Sequence, residues 1–474
     1  MNFHIFNNMS RIFVISWLSL LFPGVFLLSC QSAGKKYNAG DPEQPNILLI
    51  LADDLGIPQV GCYGSDYYQT GHVDALAEAG LRFTDAYSAA AVCSPTRAAL
   101  MTGKHPARLH LTDFIAGNQD TTTLLRQPEW QKYLPLGEET IAEILKGEGY
   151  RTAIFGKWHL SKEKVPPGSL PYNPDKQGFD AHFVTYKPAQ YLPIGDWQHP
   201  GGDPHNADTI TSLAIDFMEQ SKTNPFFVIV SHNAIHDPLM EADSLVEHYR
   251  KKDGAERPEN HPVMAAMVEH MDKSVGRILQ YLEDADQAKQ TLVVFYSDNG
   301  AKHAYAAQTP FRKGKGWLYE GGIRVPLVMR WPGVIRSGSV SQQVASTPDL
   351  FATFLEVAGV DRMPLATDGK SLVPVMFQPD TLLSDQSAVW QYPHYHKGSG
   401  MVPGAAMRDG RYKLVHWYEA GLTGQSGAWE LYDLEEDPGE ENDLSAAMPE
   451  KMTAMRRQLE QRLQEMGAQE PVLR

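Results

Sequence analysis

Four short, almost wholly apolar runs constrain this chain more than any other feature: Asn46–Ala52, Arg151–Gly156, Pro225–Ser231 and Thr291–Ser297. Each is too short for a core helix, and none alternates apolar with polar residues. Each therefore predicts a strand buried on both faces. Strands of that kind belong to a mostly parallel sheet covered by helices on both sides. Every run stops abruptly at polar residues: Asp53-Asp54, Lys157 with His159, His232 with His236, and Asp298-Asn299. Residues two apart leave a strand on one face, so Lys157 and His159 are expected to point together. In an open α/β sheet the ligand site lies beyond the carboxyl ends of the strands. One polar ending is an ordinary turn, whereas four with this chemistry predict a shared site.

Between the runs, apolar spacing predicts helices over Val73–Ala79, Glu138–Gly147, Asp208–Gln220, Met264–Asp284 and Pro449–Met466. Val325–Arg330 reads as one more strand. Residues 104–135 and Ser161–Asn206 read as long loops, the latter with one hairpin around His182–Tyr186. Met407–Leu414 and Glu430–Leu434 alternate like strands of a small antiparallel sheet. The expected fold is α/β: a large mixed, mostly parallel sheet sandwiched by helices, over residues 46–380. A smaller C-terminal part of antiparallel sheet plus helix follows over 381–474, as a length of 474 residues allows. The formal charge of -15 argues against nucleic acid as a partner. It leaves an anionic substrate open, provided that lysines, arginines or a metal build a local positive site.

Arg11 precedes an apolar run from Ile12 to Leu28, and Leu27-Leu28-Ser29-Cys30 follows the pattern of a bacterial lipobox. A secretory signal over 1–30 is expected, with lipidation at Cys30 as the membrane tether. A spanning helix is the alternative, and Pro23-Gly24 weakens it. Residues 31–45 read as a flexible tether. The expected location is outside the cytoplasm of a bacterium, membrane-anchored or periplasmic.

The segment Cys93-Ser94-Pro95-Thr96-Arg97, running on to Thr102-Gly103, reads as a loop entering a helix. Ser94 is placed as N-cap, Pro95 at the first helical position and Gly103 at the exit. A cysteine at such a helix start, one turn from Arg97, is expected to have a lowered pKa. A buried cysteine beside a surface arginine, or a Cys62–Cys93 disulfide, are the competing readings. With only Cys30, Cys62 and Cys93 in the chain, a disulfide framework is excluded.

Cys-x-Pro-x-Arg followed by a small apolar helix and Thr-Gly resembles the signature of the formylglycine-dependent sulfatases, of alkaline-phosphatase-like fold. The resemblance extends from Asn46 to Arg330 and takes in Met407–Leu414 and Glu430–Leu434. It implies that Cys93 becomes formylglycine, made by a maturase, and that its hydrate attacks sulfur. It implies one calcium ion held by Asp53, Asp54, the modified Cys93, Asp298 and Asn299, all oxygen donors of the kind calcium prefers. By the same resemblance Asp298 activates the attacking hydroxyl, and Lys157 and Lys315 hold the sulfate oxygens. Arg97 steadies the hydrate, His236 protonates the leaving oxygen and His159 removes the proton that expels sulfate. Ser161 stands where the family commonly has glycine.

A phosphate or phosphonate ester hydrolase of the same fold is the nearest rival. A silent exported binding lipoprotein is the rival of another class. A sulfated carbohydrate is the expected substrate and a small aryl sulfate the alternative. Its pocket is expected to draw on His232, His303 and Arg312, on the loop from Tyr172 to His205, and on Tyr392 to His396.

Overall fold

The computed structural model describes residues 44–117, 122–161, 171–185, 203–364 and 366–474. The signal segment 1–30 with Cys30, most of the tether 31–45, and much of the loop after Ser161 lie outside them. The central sheet is built from β1 (Asn46–Ala52), β2 (Leu81–Phe83), β3 (Arg151–Gly156), β4 (Ala181–Val184), β5 (Phe226–Ser231), β6 (Thr291–Ser297), β7 (Leu327–Arg330) and β8 (Ser339–Ser341). Their spatial order is β8-β2-β7-β6-β1-β5-β3-β4. Only β7 runs against its neighbours β2 and β6. The four apolar runs are thus the contiguous centre of the sheet, β6-β1-β5-β3, all parallel. Leu49 lies opposite Ile229 on one side and Val294 on the other.

Alternation along β5 shows how both faces are buried. Phe226, Val228 and Val230 join a cluster with Met264, Met267, Met271, Val275, Ile278 and Leu282. These six come from one face of a long helix, Pro262–Asp284, as the apolar spacing predicts. Phe227 turns to the opposite face, where its ring meets Phe354 at 6.1 Å. Phe354 belongs to Thr347–Val357, a helix buried along its length.

Of the hairpin expected around His182–Tyr186, only the part before residue 186 lies within the described residues. Ala181–Val184 adds to β3 in parallel, with Ala153 opposite Ala181. Asp180 fixes this register, since its N–H donates to Thr152 O at 2.9 Å and its carboxylate accepts from Thr152 N–H at 3.0 Å.

The C-terminal sheet consists of β9 (Ser387–Tyr392), β10 (Gly404–Asp409), β11 (Tyr412–Trp417) and β12 (Trp429–Asp433), antiparallel and in that order. One face, with Val389, Met407, Leu414 and Leu431, packs on Met455, Leu459 and Leu463 of the helix Pro449–Glu465. The other face, with Trp390, Tyr392, Val415 and Tyr432, packs on Tyr87, Val92, Leu318 and Ile323. Fully buried Lys413 on β11 pairs with Glu320 Oε1 at 2.9 Å and Glu440 Oε1 at 2.8 Å. Residues 41–474 accordingly form one compact unit. Among the described residues no helix is long and apolar enough to cross a membrane.

Candidate active site

Each central strand delivers its polar ending to the same place. The chain leaves β1 through Asp53 and then Asp54, which adopts a left-handed φ of 63°. That turn aims Asp54 N–H at Asp298 Oδ1, 3.2 Å away at the end of β6. Asn299, the next residue, donates from Nδ2 to Asp54 Oδ1 at 2.8 Å. The three carboxylates Asp53, Asp54 and Asp298 are all almost fully buried. Such a group needs counter-charge or metal, because desolvation otherwise dominates.

Cys93 opens the helix Cys93–Thr102, which is buried throughout. Its N-cap is Val92, not Ser94. Ser94 Oγ instead accepts from Ile115 N–H at 3.0 Å, tying the following loop to the helix start. Pro95 therefore sits inside the first turn, where its missing N–H still costs nothing. Gly103 ends the helix at φ 67° as expected. Both Cys62 and Cys93 are free thiols, which removes the disulfide reading. The expected lowering of the Cys93 pKa is also overturned. Burial pushes the thiol up to about 12, with Lys157 and Lys315 only partly offsetting it.

Two ammonium groups converge on the sulfur. Lys157 Nζ lies 3.3 Å from Cys93 Sγ and 2.7 Å from Asp53 Oδ2. Lys315 Nζ lies 3.4 Å from Sγ and 2.6 Å from Asp54 Oδ1. Burial alone would lower both lysine pKa values, but Asp53 and Asp54 hold them raised. Burial alone would raise Asp54, and Lys315 with His236 brings it well below the usual carboxylate range. Arg97 pairs with Asp298 at 2.7 Å and donates to Ser231 Oγ at 2.7 Å and Lys157 O at 2.8 Å. Ser231, the last residue of β5, was not singled out from sequence, because a serine ending a strand carries no signal by itself.

The alternation argument for Lys157 and His159 fails. β3 ends at Gly156, whose φ of 109° turns the chain, and a Cβ there would lie 1.8 Å from Ser231 O. His159 then takes a left-handed φ of 58°. The turn, not the strand pleat, sends Lys157 to Asp53. His159 is buried with Nε2 donating to Ile115 O. His236 Nε2 stands 3.9 Å from Asp54 Oδ2, and burial together with Lys315 holds its pKa well below the ordinary histidine value.

The expected substrate residues separate. His232 is fully buried, its Nε2 is 3.1 Å from Ser274 Oγ, and burial takes its pKa down to about 3. It is a core histidine and cannot touch a substrate. Arg312 stacks 4.0 Å from the Tyr319 ring and donates to Glu440 O at 2.9 Å, so it clamps the C-terminal sheet. His303 is exposed. Tyr392 donates to buried Asp113 at 2.6 Å, a packing role. His396 is nearly buried and packs edge-on to Phe114. Of the loop from Tyr172 to His205, Tyr172 stacks on Tyr133 at 3.9 Å and residues 186–202 lie outside the described residues.

Asp53, Asp54, Cys93 and Asp298 each offer one atom within 4.8 Å of the others. Asn299 Oδ1 is buried and has no hydrogen-bond partner among the described residues. An unused buried acceptor beside three carboxylates fits a hard divalent cation, and replacing the thiol by an oxygen donor would complete an all-oxygen set. Lys157, Lys315 and Arg97 add the positive charge that an anionic substrate requires. The arrangement suits attack by a nucleophile at position 93 on a tetrahedral oxyanion.

Comparison with known proteins agrees. Residues 45–360 match the Sulfatase family and residues 312–469 match "N-sulphoglucosamine sulphohydrolase, C-terminal". N-acetylgalactosamine-6-sulfatase of Sus scrofa is 31% identical over 91% of this chain and 87% of its own. Arylsulfatase A of Homo sapiens is 31% identical, over 87% of this chain and 86% of its own. The crystal structure of Ps i-CgsB in complex with k-i-k-neocarrahexaose superposes with a TM-score of 0.73 and 29% identity, covering 89% of this chain and 93% of that one. With the family matched over most of its length and these relatives aligned over most of both chains, the chain belongs to the sulfatase family as a sulfuric ester hydrolase.

Proposed function

We propose that this sulfatase removes sulfate from a carbohydrate, using formylglycine made from Cys93 and one calcium ion. The observation that carries the reading is the setting of Cys93 Sγ, 3.3 Å and 3.4 Å from two ammonium groups and within 4.8 Å of three carboxylates. A thiol whose pKa stands near 12 is a poor nucleophile there. Once hydrated, formylglycine supplies an oxygen nucleophile in its place. Calcium held by Asp53, Asp54, Asp298 and Asn299 would supply charge neutralisation there.

The chain's own groups do the rest. Asp53, Asp54, Asp298 and Asn299 hold the cation. Asp298 accepts the proton of the attacking hydroxyl, and Arg97 fixes its carboxylate while staying anchored to Ser231 and Lys157 O. Lys157 and Lys315 bind the sulfate oxygens and offset the charge that builds on them. Sulfate binding also offsets the field of Lys315 at His236, so that His236 can carry the proton it gives to the leaving oxygen. Donation from His159 Nε2 to Ile115 O makes Nδ1 the basic nitrogen of that ring, suited to remove the proton that releases sulfate.

Carbohydrate as substrate is supported by the name of the pig relative and by the oligosaccharide in the Ps i-CgsB complex. The human arylsulfatase A relative supports an aryl sulfate as second reading. The apolar run ending in Leu28-Ser29-Cys30 supports export as a lipoprotein in a bacterium that also makes the maturase. The test is sulfate release, by ion chromatography, from sulfated sugars and aryl sulfates, with protein coexpressed with a maturase. Release from sugars is expected. Release from aryl sulfates alone would favour the second reading, and phosphonate cleavage without sulfate release would sink both.

A further inference from the structure

Lys302 is a cation at the active site that the reaction above does not use. It follows the Asp298-Asn299 end of β6, and its neighbour Ala301 accepts from Lys315 N–H at 2.9 Å. A Cβ on Gly314 would lie 2.3 Å from Ala301 O, so the two backbones are locked against each other. Lys302 Nζ reaches across to Asp237 Oδ2, on the residue after His236, and lies 5.7 Å from the Tyr305 ring centroid. Its side chain is 31% exposed. The ammonium therefore stands half-buried between the His236 turn and the Lys315 loop. The electrostatic couplings agree with that place. Lys302 sits in the field of Lys315, Asp54 and Cys93, and acts on both His236 and His396.

The kind of group it meets follows from its pairing. Lys302 already shares its charge with Asp237, so it does not present the free cation that a second anion on the substrate would need. An ammonium has three N–H donors. Among the described residues Asp237 takes one, and the donors left over suit neutral oxygen. A sugar keeps free hydroxyls on its ring, and a plain aryl sulfate has none. We infer that Lys302 orients the leaving sugar by donating to one of its hydroxyls near the sulfate ester, and so selects sugar sulfates over aryl sulfates. The inference rests on the reading of this chain as a carbohydrate sulfatase.

The test compares matured wild type with Lys302→Met and Lys302→Arg on N-acetylgalactosamine 6-sulfate, the sugar named by the pig relative, and on an umbelliferyl sulfate. Loss of a charge-assisted hydrogen bond predicts that Lys302→Met lowers kcat/KM on the sugar about tenfold or more, mostly through KM. Umbelliferyl sulfate turnover should stay within about twofold, and Lys302→Arg should recover part of the sugar loss. Equal loss on both substrates would overturn the inference by showing that Lys302 serves the chemistry or the fold. So would an undiminished rate on the sugar. A wild type that cleaves the aryl sulfate but not the sugar would defeat the inference while leaving sulfate ester hydrolysis standing.

Discussion

Replacing Lys315 by Met removes a charge while keeping the length of the side chain. The structure gives that charge two separate jobs. Its Nζ contacts both oxygens of Asp54, at 2.6 Å and 2.7 Å, and lies 3.4 Å from the atom that precedes the nucleophile. The first effect is on the transition state. Loss of one preorganised donor where charge develops costs about 3–4 kcal/mol, or about 10²–10³ in kcat. The second effect is on the fold. Asp54 is 2% exposed, and a buried carboxylate deprived of its partner costs about 3–5 kcal/mol. Calcium bound as proposed would supply the missing counter-charge, so this second loss should shrink when the metal is present. The assay pairs kcat at saturating aryl sulfate with thermal unfolding, each in calcium and in chelator. The kcat loss is expected in calcium and the larger stability loss in chelator. A kcat within about tenfold of wild type would refute the transition-state role. A stability loss equal in calcium and chelator would refute the shared duty of Lys315 and the metal.

Asn299→Ala removes the buried oxygen that has no partner among the described residues, and should weaken calcium at least about tenfold by calorimetric titration; unchanged affinity would take Asn299 out of the ligand set. Burial lifts Glu440 from its ordinary 4.5 to about 7, against the pull of Lys413, so the folded state keeps a proton that the unfolded state releases. Stability should therefore fall as pH rises from about 4.5 to about 7, read by denaturant unfolding across that range. Lys413→Met leaves two buried carboxylates without their shared cation and should cost about 3–5 kcal/mol above neutral pH, less in acid where Glu440 is protonated. A pH-independent loss would contradict that assignment.

The centre of the sheet was legible because burial on both faces leaves an unmistakable apolar run, and Thr291–Ser297 was read to the residue. The polar strand ends were legible because four of them carry related chemistry. What sequence reasoning missed depends on contacts made across long separations. The parallel addition of Ala181–Val184 is set by Asp180 meeting Thr152. The convergence of Lys157 depends on a positive φ at Gly156, which the next backbone forces by proximity. The Cys93 pKa was misjudged because helix-end and arginine effects are visible in a sequence, whereas complete burial is not. His232 and Arg312 lie close in the chain to His236 and Lys315, yet neither reaches the cluster around Cys93. One faces the core with Ser274 and the other faces Tyr319 and Glu440. Ser231 and Lys302 carried no motif at all and became visible only through Arg97 and Asp237.

The central claim is that the group at position 93 is an oxygen nucleophile made from a thiol. Mass spectrometry of the Cys93 peptide, from active protein made in a host with the maturase, tests it most directly. The account predicts a peptide in which the side-chain CH2SH has become CHO, reactive toward a hydrazide and insensitive to thiol alkylation. An unmodified, alkylatable Cys93 in protein that fully hydrolyses sulfate esters would contradict it.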